Sequence, residues 1–582
     1  KKVVKKYGYE KNVLHLLGII ALKEQRNKYA EEQFLNALKF DDSDPNIYNN
    51  LSVALKSQGK LEQALQSIEK ALSFKIHNSF LKSKAGILVS LGKFNEALTI
   101  YKNLLDSSDS PANLYYLTGQ IYNLQHQPEK AIIHLDKALD LDKSNPNFYL
   151  ERALSSSKLA DSKTSIALLE NAIENGINSA PIYTELSIYC ERINKLDRAE
   201  SYIKKALNLN PKNAKIIYVS ALISRRLGNV NAAETTLLSL IKSKNIDTIS
   251  HIGANFELGK IYDQQGRCSV AYQYFCTANA LQVKKYGNLI KNSELNVLST
   301  YHREINDLFK NLPSWAIDKK QGNPNQIFIV GFPRSGTTLL HTFLEAHRNI
   351  EVMEEKDTLN PVYSYLKTIS PNEEYPSIIN KLTHSQVTEL REIYYSEVAR
   401  HVCDQNKTVI DKMPLYIKDI PLILKLFPHA KFVAVIRHPL DVCLSNFTQW
   451  YELNSAMANF TSLKDTIHFY KETMDLFVQY QKQYSENILI TRYEDLVTNP
   501  TNSLKPLLKF IATNWDEAMM NSQTRLSKQK EVRTPSYQQV SQDVYTTSVF
   551  RWKGYIEEFD DYLEELEPLV IGLGYERCGT QP

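Results

Sequence analysis

A loop bounded by two glycines carries residue types that hold phosphate groups. It reads Gly-Phe-Pro-Arg-Ser-Gly-Thr-Thr over residues 331–338, between an apolar β-type run and a run typical of a helix. This strand–loop–helix layout is that of a phosphate-binding loop, in which glycines let the backbone turn tightly and aim N–H groups at an anion. The candidate binding residues of the loop are Arg334, Ser335, Gly336, Thr337 and Thr338.

The loop departs from nucleoside triphosphate sites at one position. The Walker pattern places a lysine directly after its second glycine, and that lysine contacts the β- and γ-phosphates. Here Thr337 follows Gly336 instead. The loop therefore predicts a site for a phosphate group that carries less charge than a triphosphate.

A second segment also joins a buried strand to phosphate-binding residue types. The run 432–436 is wholly apolar, which is typical of a strand buried on both faces. Arg437 follows it directly, and Ser445 lies eight residues further on. Arginine offers a forked set of donors that matches a phosphate. A Walker-B strand would end in an aspartate that holds Mg²⁺, so Arg437 argues against a nucleoside triphosphatase.

Together these two segments resemble the sulfotransferase family. The resemblance implies that the loop binds the 5′-phosphosulfate of 3′-phosphoadenosine 5′-phosphosulfate (PAPS), the sulfuryl donor. It further implies that Arg437 and Ser445 bind the 3′-phosphate of this donor.

Sulfuryl transfer also needs a cation that stabilises the bridging oxygen as its bond to sulfur breaks. Lys412 suits this role because it ends a candidate strand and lies in Val-Ile-Asp-Lys-Met-Pro. This segment resembles the Asn-Lys-Asp-Pro segment of the tyrosylprotein sulfotransferases, with different neighbours of the lysine. We expect Arg334 to share the task.

The acceptor hydroxyl must lose its proton to a base. Counted from Pro-Arg-Ser-Gly-Thr-Thr, Glu355 matches the catalytic glutamate of the tyrosylprotein sulfotransferases, whose motif reads Gly-Glu-Glu-Thr-Arg. Here Met353 replaces the glycine, and Lys-Asp replaces Thr-Arg. Glu354, His347 and His438 are the alternative bases.

Two further segments resemble donor-binding parts of the family. Tyr493 follows a candidate strand at the place where the family has a nucleotide-contacting tyrosine. The stretch 548–554 resembles the late basic loop that closes over the donor, with Arg551 at the position of the family's lysine and Lys553 as a near alternative. The pattern shows no metal cluster, and we expect a reaction without a metal.

The elements that must position these residues alternate between strands and helices. Candidate strands cover 327–331, 408–412, 432–437 and 488–492, and candidate helices cover 338–347, 417–426, 440–451, 466–484 and 503–512. This alternation predicts a mostly parallel α/β sheet, in which ligands bind at the carboxyl ends of the strands. We assign residues 323–582 to this P-loop-like domain.

The first half of the chain repeats with a period near 34 residues. Small residues recur at Ala30, Ala64, Ala97, Ala131, Ser165, Ala199, Ala233 and Ala271. Further small residues, such as Gly18, Gly119 and Gly259, lie twelve residues before members of this series. The period resembles the tetratricopeptide repeat, a helix–turn–helix unit. We therefore expect about eight repeats over 1–290, stacked as an α-solenoid superhelix with a concave groove, and a helical connector over 291–322. The longer last interval predicts an insertion near 243–247.

Composition narrows the function classes. The chain has 582 residues, 43% hydrophobic residues and a net charge of +4, so we expect folded domains and no nucleic-acid partner. No apolar run reaches membrane-spanning length. Six cysteines without close pairing favour reduced thiols, and we expect a cytoplasmic protein.

The sequence thus predicts a PAPS-dependent sulfotransferase whose repeats recruit a protein or peptide acceptor, or a partner protein, in their groove. The family resemblance suggests a protein tyrosine as acceptor, while carbohydrate and small-metabolite hydroxyls stay open. A non-catalytic repeat adaptor with a nucleotide-binding module is the alternative from another class, and a P-loop kinase is the third.

Overall fold

The computed structural model describes residues 10–105, 111–159, 161–292, 326–371, 376–404, 406–454, 456–522, 525 and 548–577. The chain divides into two compact units, 1–190 and 191–582. The second unit therefore contains the last repeats together with the sheet.

Eight consecutive helix pairs make up the described part of the first half, as the 34-residue period predicts. Their helices are α1 Lys11–Lys23, α2 Asn27–Leu38, α3 Pro45–Ser57, α4 Leu61–Phe74, α5 Asn78–Ser90, α6 Phe94–Leu105, α7 Pro111–Leu124, α8 Pro128–Leu141, α9 Pro146–Lys158, α10 Ser162–Glu174, α11 Ala180–Arg192, α12 Leu196–Leu209, α13 Ala214–Arg226, α14 Val230–Ile241, α15 Thr248–Gln264 and α16 Cys268–Asn292.

The recurring small residues lie where the two helices of a pair meet. Ala30, Ala131 and Ala233 have no exposed surface. A Cβ added to Gly18 would lie 2.4 Å from the Phe34 ring. Paired helices approach each other too closely there for a larger side chain, which explains the repeated small positions.

The expected insertion near 243–247 is wrong in its position. The residues before α15 form an ordinary connection that ends in Asp247, whose side chain accepts a hydrogen bond from the Ser250 N–H. The extra length lies in α15 itself, which has 17 residues where α13 has 13. The last helix, α16, continues for 25 residues to Asn292, and the expected connector beyond it lies outside the described residues.

The second half contains a five-stranded parallel sheet in the order β2-β3-β1-β4-β5. Its strands are β1 Ile327–Gly331, β2 Ile350–Glu354, β3 Thr408–Lys412, β4 Lys431–Ile436 and β5 Ile488–Arg492. Three of the four expected strands have the predicted ends, and β4 is shifted by one residue.

Strand β2 was not expected from the sequence, because its residues Ile-Glu-Val-Met-Glu do not form an apolar run. The tertiary structure stabilises it. Glu351 is buried and accepts hydrogen bonds from the N–H groups of Cys403 and Asp404, at 3.0 and 3.1 Å. Strand β2 pairs in parallel with β3, so that Glu354 lies beside Lys412.

Helices cover both faces of the sheet. They are α17 Thr337–Glu345, α18 Asn360–Ile369, α19 His384–Ala399, α20 Ile420–Leu426, α21 Pro439–Phe447, α22 Leu463–Gln483, α23 Tyr493–Thr498, α24 Pro500–Phe510 and α25 Leu563–Gly572. Alternate residues of β1 enter two different cores, with Phe328 on one face and Ile329 on the other. This burial on both faces is the reason for the continuous apolar strands.

Two helix ends differ from expectation in ways that matter for the site. The helix expected over 440–451 ends at Phe447, so the residues that follow it form a loop. The helix expected over 417–426 begins as a 3₁₀ turn, Pro414–Asp419, before α20. The proline after Ile420 stands at the start of α20, where a missing N–H costs little.

Candidate active site at the carboxyl edge of the sheet

The loop between β1 and α17 has the tight geometry that its glycines predict. Gly336 adopts a φ of +106°, and a Cβ there would lie 2.5 Å from the Tyr493 ring. A Cβ on Gly331 would lie 2.7 Å from the Val435 carbonyl oxygen. Both positions require glycine, because neither has room for a side chain. Tyr493 thus lies directly against the loop.

Arg334 and Ser335 present the loop's side-chain donors. The Arg334 Nε donates to the Ser445 hydroxyl at 3.0 Å, which joins the loop to the second motif. Arg334 has a φ of +69°, an uncommon conformation for a residue with a side chain. Ser335 is buried, and its hydroxyl has no hydrogen-bond partner among the described residues. Thr337 and Thr338 are buried in the first turn of α17.

Arg437 lies at the end of β4 and faces the same loop. Its Nη1 donates to the Arg334 carbonyl oxygen at 3.4 Å, and its guanidinium lies 4.7 Å from the centre of the Tyr493 ring. The buried Nε of Arg437 has no hydrogen-bond partner within the described ranges. The structure therefore brings Arg334, Ser445 and Arg437 into one positively charged cluster, as the two motifs predict.

Asp441 connects Arg437 to the late basic loop. Its carboxylate lies 3.5 Å from the Arg437 Nη2 and accepts hydrogen bonds from the N–H groups of Phe550 and Trp552, at 2.7 and 2.9 Å. Burial raises the pKa of Asp441, although Arg437 opposes this effect. Asp441 was not expected from the sequence. Its position four residues after Arg437, within one helical turn, was the only available signal.

The late basic loop contacts the donor side through its backbone. The Ser548 carbonyl oxygen accepts a hydrogen bond from Arg437. Lys553 is exposed and lies near Phe550, with its Nζ 5.5 Å from the centre of the ring. Arg551 points elsewhere, because its Nε donates to Asp263 of α15 at 3.0 Å. The structure thus does not place Arg551 with the other expected donor residues.

Lys412 forms a second cluster with the two glutamates after β2. Its Nζ donates to Glu355 at 2.9 Å and to Glu354 at 3.2 Å, and the side chain is fully buried. Burial alone would lower the pKa of Lys412, but Glu355 and Glu354 outweigh it and raise the pKa. Burial likewise opposes the ionisation of Glu354, yet Lys412 and His341 lower its pKa to about 2. Lys412 is therefore charged, and so is Glu354.

Glu355 differs from Glu354 in exposure and in backbone conformation. The Glu355 side chain is 30% exposed, against 12% for Glu354. Its φ is +47°, and its N–H donates to the Lys412 carbonyl oxygen at 2.8 Å. Glu355 is thus the glutamate that an external hydroxyl can reach.

A buried network below this cluster holds the residues that follow Glu355. Asp411 accepts hydrogen bonds from the hydroxyls of Thr358, at 2.6 Å, and Tyr394, at 3.1 Å. The Tyr416 hydroxyl accepts from the Leu359 N–H at 3.0 Å. Burial raises the pKa of Asp411 to about 7. None of these anchors was identified from the sequence, because they come from distant segments.

Tyr451 is linked to the phosphate-binding loop through Asn446. Its hydroxyl donates to Asn446 at 2.8 Å, and Asn446 in turn donates to the Pro333 carbonyl oxygen of the loop at 2.9 Å. Burial raises the pKa of Tyr451, Arg334 opposes this effect and Glu355 adds to it. Strand β1, which leads into Arg334, pairs in parallel with β3, which ends in Lys412, so the two clusters follow neighbouring strands at one edge of the sheet.

The two histidines considered as bases are engaged elsewhere. His347 accepts from the Asn349 N–H at 3.0 Å, so its other ring nitrogen carries the proton and donates to the Asn514 carbonyl oxygen at 3.0 Å. His438 stacks on Trp552 with ring centres 4.9 Å apart. Burial lowers the pKa of His438 to about 4, with Arg437 and Lys553 adding to the effect. Neither contact places a histidine beside Lys412.

Two features are absent from the described residues. These residues contain no group of three or more His, Cys, Asp or Glu side chains arranged to hold a metal ion. Across the same ranges, no helix combines the length and the apolar character that crossing a membrane requires.

Comparisons with known proteins agree with both halves of this description. Residues 324–517 match the sulfotransferase family, and residues 46–76, 84–146 and 180–213 match tetratricopeptide repeats. The chain therefore combines tetratricopeptide repeats with a domain of the sulfotransferase family.

Individual relatives match at low identity. An uncharacterized protein of Aquifex aeolicus is 22% identical over 96% of this chain and 73% of its own length. Protein-tyrosine sulfotransferase 1 of Danio rerio is 22% identical over 44% of this chain and 74% of its own length. Among solved structures, the sulfotransferase domain of the Synechococcus PCC 7002 olefin synthase is 21% identical, with a TM-score of 0.30 over 41% of this chain and 91% of that one.

Proposed function

We propose that this protein transfers a sulfuryl group from PAPS to an acceptor hydroxyl. The observation that carries the proposal is the placement of two clusters at one edge of the sheet. Arg334, Ser445 and Arg437 form a basic site on the donor side. Lys412 and Glu355 form a charged pair on the acceptor side.

The donor side fits a nucleotide with separate phosphate groups. The buried Ser335 hydroxyl and the buried Arg437 Nε, both without partners among the described residues, are suited to anionic oxygens. The loop glycines allow the tight turn that brings Tyr493 and the end of β4 against the loop. We assign the 5′-phosphosulfate to the loop and the 3′-phosphate to Arg437 and Ser445, with Tyr493 lying beside both.

When bound, PAPS supplies the sulfuryl group on a good leaving group. Glu355 accepts the proton of the acceptor hydroxyl while the acceptor oxygen bonds to sulfur and the sulfur–oxygen bond to the 5′-phosphate breaks. Lys412 and Arg334 stabilise the negative charge that develops on the oxygen of the leaving group. The products are a sulfate ester and 3′-phosphoadenosine 5′-phosphate, and no metal ion takes part in this scheme.

A protein tyrosine is the first acceptor to test, because the relatives that match this half include protein-tyrosine sulfotransferases. A phenol has an ordinary pKa near 10, so a nearby base and cation assist its deprotonation. Carbohydrate and small-metabolite hydroxyls are the alternatives. We further propose that the repeats recruit the acceptor protein or a partner protein, as such arrays generally bind proteins.

A non-catalytic adaptor with a nucleotide-binding module is the second candidate function. It requires only the donor cluster. The ion pair of Glu355 with a fully buried Lys412 favours catalysis, because burying a charge is costly and a binding module has no need of it.

Calorimetry tests the donor assignment. We expect 3′-phosphoadenosine 5′-phosphate to bind about 10- to 150-fold more tightly than AMP without Mg²⁺, since charge-assisted hydrogen bonds contribute about 1.5–3 kcal/mol. Labelled sulfate from PAPS, followed by mass spectrometry of lysate products, then identifies the acceptor. Equal affinity for AMP would exclude the donor assignment, and tight nucleotide binding without any transfer would favour the adaptor.

A further inference from the structure

The last repeat pair contacts the sulfotransferase domain through one face of α15. Phe256 stacks on Trp450, with ring centres 6.0 Å apart and planes 10° from parallel. A Cβ on Gly253 would lie 2.9 Å from the Trp450 ring and 2.5 Å from the Tyr218 ring of α13. Gly253 therefore makes room for Trp450, which belongs to the loop after α21.

Asp263 lies seven residues after Phe256, two helical turns along the same face. Its Oδ1 accepts hydrogen bonds from the Arg551 Nε at 3.0 Å and from the Tyr555 hydroxyl at 2.6 Å. Gly554, between these two residues, packs against Cys268 at the start of α16, since an added Cβ would lie 2.8 Å from the Cys268 sulfur. The segment 551–555 is thus held to the repeat pair at three points.

Helix α16 contacts a second segment of the sulfotransferase domain, the end of α21. The Asn279 side chain donates to the Phe447 carbonyl oxygen at 3.1 Å, in a buried position. The Tyr272 ring lies 5.3 Å from the Phe447 ring. Phe447 ends α21, the helix that carries Ser445 and Asn446 of the site.

The segment 551–555 and the end of α21 are both directly connected in the chain to residues of the donor side. The N–H groups of Phe550 and Trp552 bind Asp441, which pairs with Arg437. The Ser548 carbonyl oxygen accepts from Arg437. The same stretch that Asp263 holds through Arg551 therefore surrounds the arginine assigned to the 3′-phosphate.

We propose that the last repeat pair is a built-in positioning element of the donor site, and that Asp263 sets donor affinity by ordering the segment 548–555. This inference rests on the proposed function. Asp263 and Arg551 are positioning residues, because they act on the donor through this segment and Arg437. This face of α15 is consequently covered by the chain's own sulfotransferase domain, and an acceptor protein must bind other surfaces of the repeats.

The physical basis is the entropy of a loop. A segment that must be ordered when the nucleotide binds reduces affinity by the cost of ordering it, and a contact that orders it beforehand removes that cost. The hydrogen bond between Arg551 and Asp263 is charge-assisted on both sides, so it is a strong anchor. Its loss should raise the dissociation constant roughly tenfold.

The test uses the full chain with Asp263→Asn, Arg551→Gln and the double variant. Calorimetry measures the affinity for 3′-phosphoadenosine 5′-phosphate, and hydrogen exchange measures the amides of Phe550 and Trp552 without nucleotide. We expect each single variant to weaken binding about tenfold and the double variant to be no weaker than either. We also expect both amides to exchange faster in all three.

Non-additivity is the decisive readout, because it distinguishes one shared contact from two independent ones. If Arg551→Gln weakens binding while Asp263→Asn does not, Arg551 contacts the donor directly and the inference is wrong. Additive losses would overturn it as well. If Asp263→Asn does not fold, Tyr555→Phe is measured singly, because it removes the other hydrogen bond to Asp263. It should weaken binding and speed exchange of both amides by a smaller amount, and unchanged values would overturn the inference.

Asp197→Asn is the matched control, since Asp197 is an exposed acid in the first turn of α12 within the same unit. It should leave affinity and exchange unchanged. Failure of the proposed function is separate and would be seen in the unmodified chain, as equal binding of AMP and 3′-phosphoadenosine 5′-phosphate.

Discussion

The donor side and the acceptor side of the site differ in how far the protein itself satisfies their buried polar groups. On the donor side, buried groups such as the Ser335 hydroxyl and the Arg437 Nε have no partners among the described residues. On the acceptor side, the fully buried Lys412 is shared between two glutamates. The donor side pairs Arg437 with Asp441 but still leaves polar groups for a ligand, whereas the acceptor side pairs its charges within the protein.

This difference predicts how each side responds to substitution. Removing an unpartnered donor-side group such as the Ser335 hydroxyl should weaken ligand binding and leave the fold largely intact. Arg437 is the exception, because its removal also leaves the buried Asp441 without its cation. Removing one member of the Lys412 cluster leaves a buried charge without full compensation, which is strongly destabilising. Substitutions on the acceptor side should therefore be conservative in shape.

Glu355→Gln should have the largest effect, on kcat. A general base contributes about 10²–10⁴-fold, and the amide keeps the shape while losing the proton acceptor. Initial rates of labelled sulfate transfer from PAPS measure the loss, and donor affinity should change little.

Glu354→Gln is the matched control, because Glu354 contacts the same Lys412 nitrogen but is less exposed. We expect it to lower stability more than kcat. If instead Glu354→Gln abolishes transfer and Glu355→Gln retains it, the base assignment moves to Glu354.

Asp411→Asn should remove a pH dependence of stability. The pKa of Asp411 rises from 3.8 to about 7 on folding, so between these values the folded protein keeps a proton that the unfolded chain has released. Unfolding then releases a proton, and stability falls as pH rises from about 4 to about 7, by at most about 4 kcal/mol.

Denaturant unfolding at pH 5 and pH 8 measures this prediction. Asparagine cannot ionise, so the variant should lose less stability than the unmodified protein between these two values. An identical pH slope in both proteins would show that Asp411 does not carry this proton.

Arg437→Gln should have the smallest of these effects, about 1.5–3 kcal/mol in the binding of 3′-phosphoadenosine 5′-phosphate. Binding of AMP should change much less, because only the 3′-phosphate is assigned to Arg437. Arg400→Gln is the control for loss of charge, since its side chain is 71% exposed. Equal losses for both nucleotides would place Arg437 elsewhere on the donor.

Much of the fold could be predicted because its signals are local. Strands β1 and β4 contain continuous apolar runs, and shorter apolar stretches at 409–410 and 488–490 indicate β3 and β5. Strands β1, β3 and β5 were predicted with the correct ends. Strand β2 was missed since Glu351 interrupts its apolar pattern. That glutamate is tolerated because the backbone N–H groups of Cys403 and Asp404 donate hydrogen bonds to it.

Local sequence signals were enough to predict the eight helix pairs of the described first half, the phosphate-binding loop and the position of Arg437 at a strand end, because each depends on neighbours in the chain. Only the tertiary structure decided which partners the charged side chains find. Arg551 pairs with Asp263 across 288 positions, and Lys412 pairs with Glu355 across 57. Such pairs depend on how helices and strands pack, and packing brings together residues whose separation in the chain carries no periodic signal.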